Sequence, residues 1–258
     1  MLSVLTSKKK IDLKKWKRSV TSALHHSSSV FPMNATWVML LTPPFVGLMY
    51  LVSRLFNLNR IERLHLYLGN MIREEDAIVC MIDLCNFSSW CDDKSSSTVF
   101  ETMINYNDFL KHLLSEFKYL EKVELVGDCV MVVGWISHNS KRSSLVVNQM
   151  IQFAMDMLTN IEKIQDIFED DNISIRIGIH EGKTSFGFIS NPRKFQVFGR
   201  SVNLASRIES AAKQGTCWIS NTTLNTNNID YENIRSQGRH RFKGFKELVS
   251  VSELRQLQ

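Results

Sequence analysis

KVELVGDCVMVVGW, residues 122–135, reads as two short apolar strands that meet at Gly127-Asp128. Gly-Asp is an acceptable two-residue hairpin loop, and aspartate is common in such turns. Upstream, IVCMID (78–83) is a third apolar strand, and it also ends in a carboxylate, Asp83. A carboxylate that terminates a buried strand is costly to desolvate, so it is held by hydrogen bonds, an opposite charge or a divalent ion. Taken singly, each aspartate reads equally well as a turn residue. Two such positions in one domain point to a shared metal site.

Outward from this core the pattern continues as a helix over about 96–118, the hairpin 122–127 and 129–135, and a helix over about 142–165. Strands 173–180 and 184–188, a helix 200–213, a strand 216–220 and two late strands follow. Val99, Met103, Tyr106, Leu110, Leu113 and Phe117 recur at helical spacing, as do Val146, Met150, Phe153, Met157, Ile161 and Ile164. These are core-facing stripes. The strand-helix-strand-strand-helix-strand order predicts an α+β fold, ferredoxin-like or palm-type, with helices packed on an antiparallel sheet. That layout serves unrelated activities, so it does not decide function.

The 258 residues, 44% of them hydrophobic, suffice for one core of ordinary domain size with residues left over. The formal charge of +5 is concentrated at one end: residues 1–26 hold seven Lys or Arg and one Asp, a net +6, so the remainder carries about −1. A nearly neutral remainder argues against nucleic-acid binding, and the basic tail reads as a surface anchor or targeting signal. The five cysteines form no CxxC pair, which makes disulfides and a zinc site unexpected and fits a reducing cytosol.

No charged side chain occurs from Ser27 to Ser53, and this run approaches bilayer thickness. A membrane-inserted segment is the expectation, with a buried helical hairpin as the alternative. Pro43-Pro44 should break any helix there. A re-entrant hairpin turning at the prolines would keep the basic tail on the cytoplasmic side, as the charge rule prefers. Residues 54–76 then read as a helical connector, with Leu55, Ile61, Leu64, Leu68, Met71 and Ile72 near one face. The expected division is therefore tail 1–26, membrane segment 27–53, connector 54–76 and globular domain 77–258.

RIGIHEG (176–182), FGRSVNLASRIES (198–210) and KGFKEL (243–248) follow the two aspartates in order. Together these segments resemble the catalytic domain of the class III nucleotidyl cyclases, the adenylate and guanylate cyclases, from about Ala77 to Leu254. The resemblance implies that Asp83 and Asp128 bind two Mg²⁺ or Mn²⁺ ions, with the backbone carbonyl of Leu84 as a further ligand. Oxygen donors of this kind suit those metals. Asn203 and Arg207 stand four apart on a predicted helix and so share a face. By resemblance they orient the ribose and stabilise charge on the phosphate, and an arginine fork matches phosphate oxygens at any working pH. Lys243 aligns with a lysine on the terminal phosphates. Phe87 and Arg193 fall on the substrate side, with Lys246 as an added charge. Without the resemblance, a solvated helix face and solvated lysines would be the plain reading.

Two positions bear on the base. Related adenylate cyclases carry lysine four residues before the second metal aspartate, whereas guanylate cyclases carry glutamate, and this chain has Glu124. A buried glutamate accepts from guanine N1 and N2 and has nothing to donate to adenine N1. At the second position Gln196 can donate to guanine O6 or accept from adenine N6, so it fits guanine without excluding adenine. Other departures from the family pattern are Asn86 and Ser190, both where glycine is frequent, and Arg200, where Asp or Asn is usual. Arg200 stands near a helix N-terminus, where it could meet a phosphate or a partner acid.

The expectation is a membrane-associated guanylate cyclase with its catalytic domain in the cytoplasm. It would turn GTP into cyclic GMP and pyrophosphate in a homodimer with composite sites. The alternatives are an adenylate cyclase acting on ATP, a catalytically weak regulatory subunit of the same fold, and, more distantly, a polymerase-like palm protein.

Overall fold

A computed structural model describes residues 72–136, 140–189, 194–227 and 234–255. The basic tail and the charge-free run 27–53 lie outside the described residues. Among those described, no helix is long and apolar enough to cross a membrane.

The chain order is β1 (Arg73–Cys85), α1 (Phe87–Asp92), α2 (Ser96–Leu114), β2 (Leu120–Val126), β3 (Cys129–Trp135), α3 (Ser140–Thr159) and α4 (Ile161–Phe168). It continues with β4 (Ser174–Ile189), β5 (Lys194–Phe198), α5 (Arg200–Ala211), β6 (Cys217–Ser220), α6 (Asn221–Thr226), β7 (Ile234–His240) and β8 (Val249–Leu254). One sheet runs β2-β3-β1-β4-β6-β8-β7, with β5 paired to β4 off this path. The β2-β3-β1-β4 half is antiparallel throughout, as the strand-helix order predicts. The purely antiparallel sheet needs correction: β6 pairs with β4 in parallel, because a crossover through α5 returns the chain to the sheet in the same direction. The sheet is mixed.

Alternation in β1 divides the protein into two layers. Ile78, Cys80, Ile82 and Leu84 face a core built with Tyr106 and Leu110 of α2, Met150 and Phe153 of α3, and Ile164 and Phe168 of α4. A Ser95 cap opens α2 by accepting the Thr98 N–H at 3.1 Å, a contact worth about 1 kcal/mol. On the other face Leu204 and Ile208 of α5, with Ala212 just past its end, pack against Trp218, Phe242 and Val251.

Several boundaries differ from the sequence expectation. β1 begins at Arg73, inside the stretch read as a helical connector, because β4 is long enough to pair with it from Arg73↔Phe186 onward. The two strands expected at 173–180 and 184–188 are one, since Gly182 is not a turn residue. A Cβ there would meet Ser201 Oγ at 2.5 Å, so glycine admits α5 to the strand. The helix expected over 142–165 breaks at Asn160, where Thr159 and Asn160 side chains donate back to the Met155 and Asp156 carbonyls. β5, α1 and α6 were not anticipated.

Candidate active site

Val126 pairs with Cys129, so Gly127 and Asp128 form a two-residue loop, and Gly127 takes a φ of 61°. A positive φ at the first loop position is the type II′ pattern that glycine favours. β1 lies next to β3 and carries Asp83 near its end, so the two aspartates approach one another. The Asp83 carboxyl is held above its ordinary range, first by burial and then by the Asp128 charge, with Arg176 pulling the other way.

Arg176 was not singled out from sequence. It lies directly across from Asp83 in the β1–β4 register and donates from Nη2 to the carboxylate at 2.8 Å. Its Nε donates to Glu209 Oε1 of α5 at 2.5 Å. Glu209 is only 4% exposed, and burial is the main force raising its carboxyl, opposed by the Arg176 hydrogen bond. The signal was present in RIGIHEG and RIES, but only strand register reveals which acids face the arginine.

The fit to a hard divalent ion can be judged from the donors. Among the described residues no group of three or more His, Cys, Asp and Glu side chains is placed to hold a metal by itself. Two carboxylates are nevertheless the complement typical of Mg²⁺, which keeps waters and takes phosphate oxygens for its other positions. The Asp128 charge that helps raise the Asp83 carboxyl is also one a bound cation would offset. Cys129 stands beside them with its thiol pushed up to about 12, chiefly by burial, so it is no competing thiolate ligand at neutral pH. The pair fits Mg²⁺ or Mn²⁺.

α5 presents a different surface. Leu204, Ala205, Ile208 and Glu209 are buried, while Arg200, Asn203 and Arg207 are exposed along one stripe. The helix touches β4 closely at Gly178, where a Cβ would lie 2.1 Å from the Glu209 nitrogen and 2.4 Å from the Ala205 oxygen. Thus Asp83 is tied through Arg176 to the inward face of α5, whereas Asn203 and Arg207 look outward. One chain does not turn these two sets toward each other.

Lys243 is exposed on a turn from Phe242 to Phe245, closed by the Phe245 N–H donating to the Phe242 carbonyl at 3.0 Å. Gly244 takes a φ of 89°, as the third residue of a type II turn requires. Gln196 is buried on β5, opposite Gly187 of β4. Glu124 lies on β2, and β2 and β5 come into contact. Phe87 is half-buried in a packing role, with its ring against Trp90 and Phe168 at 5.9 and 6.2 Å. Arg193 and Ser190 lie outside the described residues. Asn86 adopts the left-handed conformation at φ 68° and donates from Nδ2 to the Asn172 carbonyl at 2.7 Å, which accounts for a residue standing in for glycine.

The model of the adenylate and guanylate cyclase catalytic domain matches residues 70–252. The germination-specific adenylate cyclase of Dictyostelium discoideum is 28% identical over 161 residues, 62% of this chain and 18% of its own length. The receptor-type guanylate cyclase gcy-8 of Caenorhabditis elegans is 28% identical over 149 residues, 57% of this chain and 13% of its own. The chain thus spans less than a fifth of either relative. In fold it is similar to the guanylate cyclase domain of RhGC from Catenaria anguillulae, solved in complex with GTP. The TM-score is 0.62 at 22% identity, covering 71% of this chain and 98% of that one.

Proposed function

Because the chain belongs to the family of adenylate and guanylate cyclase catalytic domains, we propose that it converts GTP into cyclic GMP and pyrophosphate, by attack of the ribose 3′-hydroxyl on the α-phosphate. The observation that carries this reading is the approach of Asp83 to Asp128 on adjoining strand ends, beside a helix that exposes Asn203 and Arg207. Asp83, Asp128 and the Leu84 carbonyl would hold the two Mg²⁺ or Mn²⁺ ions. Such ions lower the pKa of the attacking hydroxyl and offset charge on the leaving group.

The remaining work falls to side chains. Arg176 keeps the Asp83 carboxylate in one orientation. Arg207 binds the charge that develops at the α-phosphate, Asn203 fixes the ribose, and Lys243 holds the terminal phosphates, each suited by donor type. Glu124 selects guanine by accepting from N1 and N2, and the Gln196 amide donates to O6.

The helix geometry supports a homodimer. The carboxylates adjoin the buried face of α5 and the Asn203–Arg207 stripe is exposed, so a second copy supplying its stripe to the first copy's carboxylates would complete two equivalent sites. The charge-free run 27–53 supports membrane attachment, with the catalytic domain on the cytoplasmic side.

A second reading rests on Gln196, which is buried and whose amide oxygen can accept from adenine N6. That would make ATP the substrate. The test is turnover by the full chain with Mn²⁺ and equal GTP and ATP, with products identified by mass. Cyclic GMP in excess supports the guanine reading, and cyclic AMP in excess replaces it with the second. Neither product from a folded dimer would leave a regulatory subunit of the same fold.

A further inference from the structure

Arg200 opens α5, where a positive charge opposes the helix dipole. Its guanidinium lies over the ring of Phe245, 4.8 Å from the centroid. That ring belongs to the turn bearing Lys243, and the turn is fixed from its other end as well: Phe242 is buried against Leu204 and Ile208 of the same helix, and Phe245 packs on this cluster. Arg200, Asn203 and Arg207 are all exposed on one stripe of α5, spaced by three and four residues.

We propose that Arg200 is a positioning residue, which clamps the Phe242–Phe245 turn against the start of α5 and so sets Lys243 relative to Asn203 and Arg207. The cation rests on the face of Phe245, where the ring quadrupole compensates a charge that the helix end disfavours. Lys243 occupies the second position of the turn, between an anchored Phe242 and the left-handed Gly244, so its backbone has little freedom once Phe245 is held. This inference rests on the reading of Lys243 as a phosphate contact.

The clamp is tested on the full chain by two independent readouts. Hydrogen exchange of the Phe245 amide, which donates to Phe242, should quicken about fivefold in Arg200→Ala, the order expected of an exposed cation–π contact. It should quicken equally in Phe245→Leu, and stay near the parent rate in Arg200→Lys. In steady-state turnover with GTP and Mn²⁺, Arg200→Ala should raise KM by a similar factor with kcat within about twofold, and Arg200→Lys should restore KM. The double variant Arg200→Ala with Phe245→Leu should be no worse than either alone. Unchanged exchange in Arg200→Ala overturns the clamp whatever the kinetics. Lys243→Ala separates the two ideas: if it leaves KM and kcat untouched while exchange responds as described, the phosphate reading of Lys243 falls and the clamp stands as a structural contact only.

Discussion

Arg176 faces Asp83 across neighbouring strands and is shared between that carboxylate, at 2.8 Å, and Glu209, at 2.5 Å. The Asp83 and Glu209 side chains are 18% and 6% exposed, so removing the arginine leaves one buried acid and one partly buried acid without their cation. Breaking a fully buried pair from one side costs about 3–5 kcal/mol; with the Arg176 side chain 35% exposed, about 2–3 kcal/mol is the expectation for Arg176→Ala. Arg176→Lys should lose less, since one ammonium can serve only part of the fork. Chemical denaturation measures both, and a loss under about 0.5 kcal/mol for Arg176→Ala would mean the network does not support the site.

Asp83 is tied through Arg176 to the buried face of α5 and Arg207 lies on its exposed face, so their loss should be complementable between two copies. Asp83→Ala and Arg207→Ala chains, each nearly inactive as homodimers, should recover activity when co-expressed. Random pairing makes half the dimers mixed with one intact site each, so about a quarter of the parent rate is expected. Activity that stays at the homodimer level, in preparations where mixed dimers are demonstrated by mass, would place both residues in a single-chain site. Arg207→Ala alone should lower the rate while nucleotide binding persists.

Gly178 is the point at which α5 rests on β4. An added methyl would lie 2.1 Å from the Glu209 nitrogen and 2.4 Å from the Ala205 oxygen, both backbone atoms that cannot move without moving the helix. Gly178→Ala should therefore cost more than an ordinary overpacked methyl, about 3 kcal/mol or above, and displace the Asn203–Arg207 stripe. Thermal unfolding and turnover should fall together. A variant with parent stability would show that the helix is not seated on this glycine.

The elements carrying these residues were legible where periodicity was strong. The stripe of α2, that of α3 as far as Met157, the hairpin at Gly127-Asp128 and the helix of Asn203 and Arg207 all stand where the pattern predicts. What was hidden depends on pairing between distant segments. Lys194–Phe198 is a five-residue strand whose Phe195 and Val197 alternation is too short to stand out, and it exists because β4 extends far enough to receive it. Gly182 reads as a turn until Ser201 is known to press on it. Arg176 resembles any charged strand residue until the β1–β4 register sets it opposite Asp83. Arg200 invited a phosphate or an acid as partner, and the structure supplies an aromatic ring instead.

His180, four residues after Arg176 on the same face of β4, bonds through Nδ1 to Ser220 Oγ at 2.7 Å, and burial holds its imidazole down at about 4 from an ordinary 6.5. The unfolded chain takes up a proton near 6.5 while the folded chain does not until about 4. The stabilising contribution is thus fully present above pH 6.5 and is lost as pH falls toward 4, a total on the order of 3 kcal/mol. Asp83, Glu181 and Glu209 act in the opposite sense. Their carboxyls are raised, chiefly by burial, so each contributes stability below its unfolded value that is lost as pH rises through the folded one. The parent's curve is therefore a sum of opposed slopes, and the histidine must be isolated by difference. His180→Gln keeps a hydrogen-bonding group for Ser220 and removes the titration. The stability of the parent relative to this variant should decline as pH drops from 6.5 to about 4. Parallel curves for the two proteins across that range would mean that His180 takes up its proton in the folded state as readily as in water.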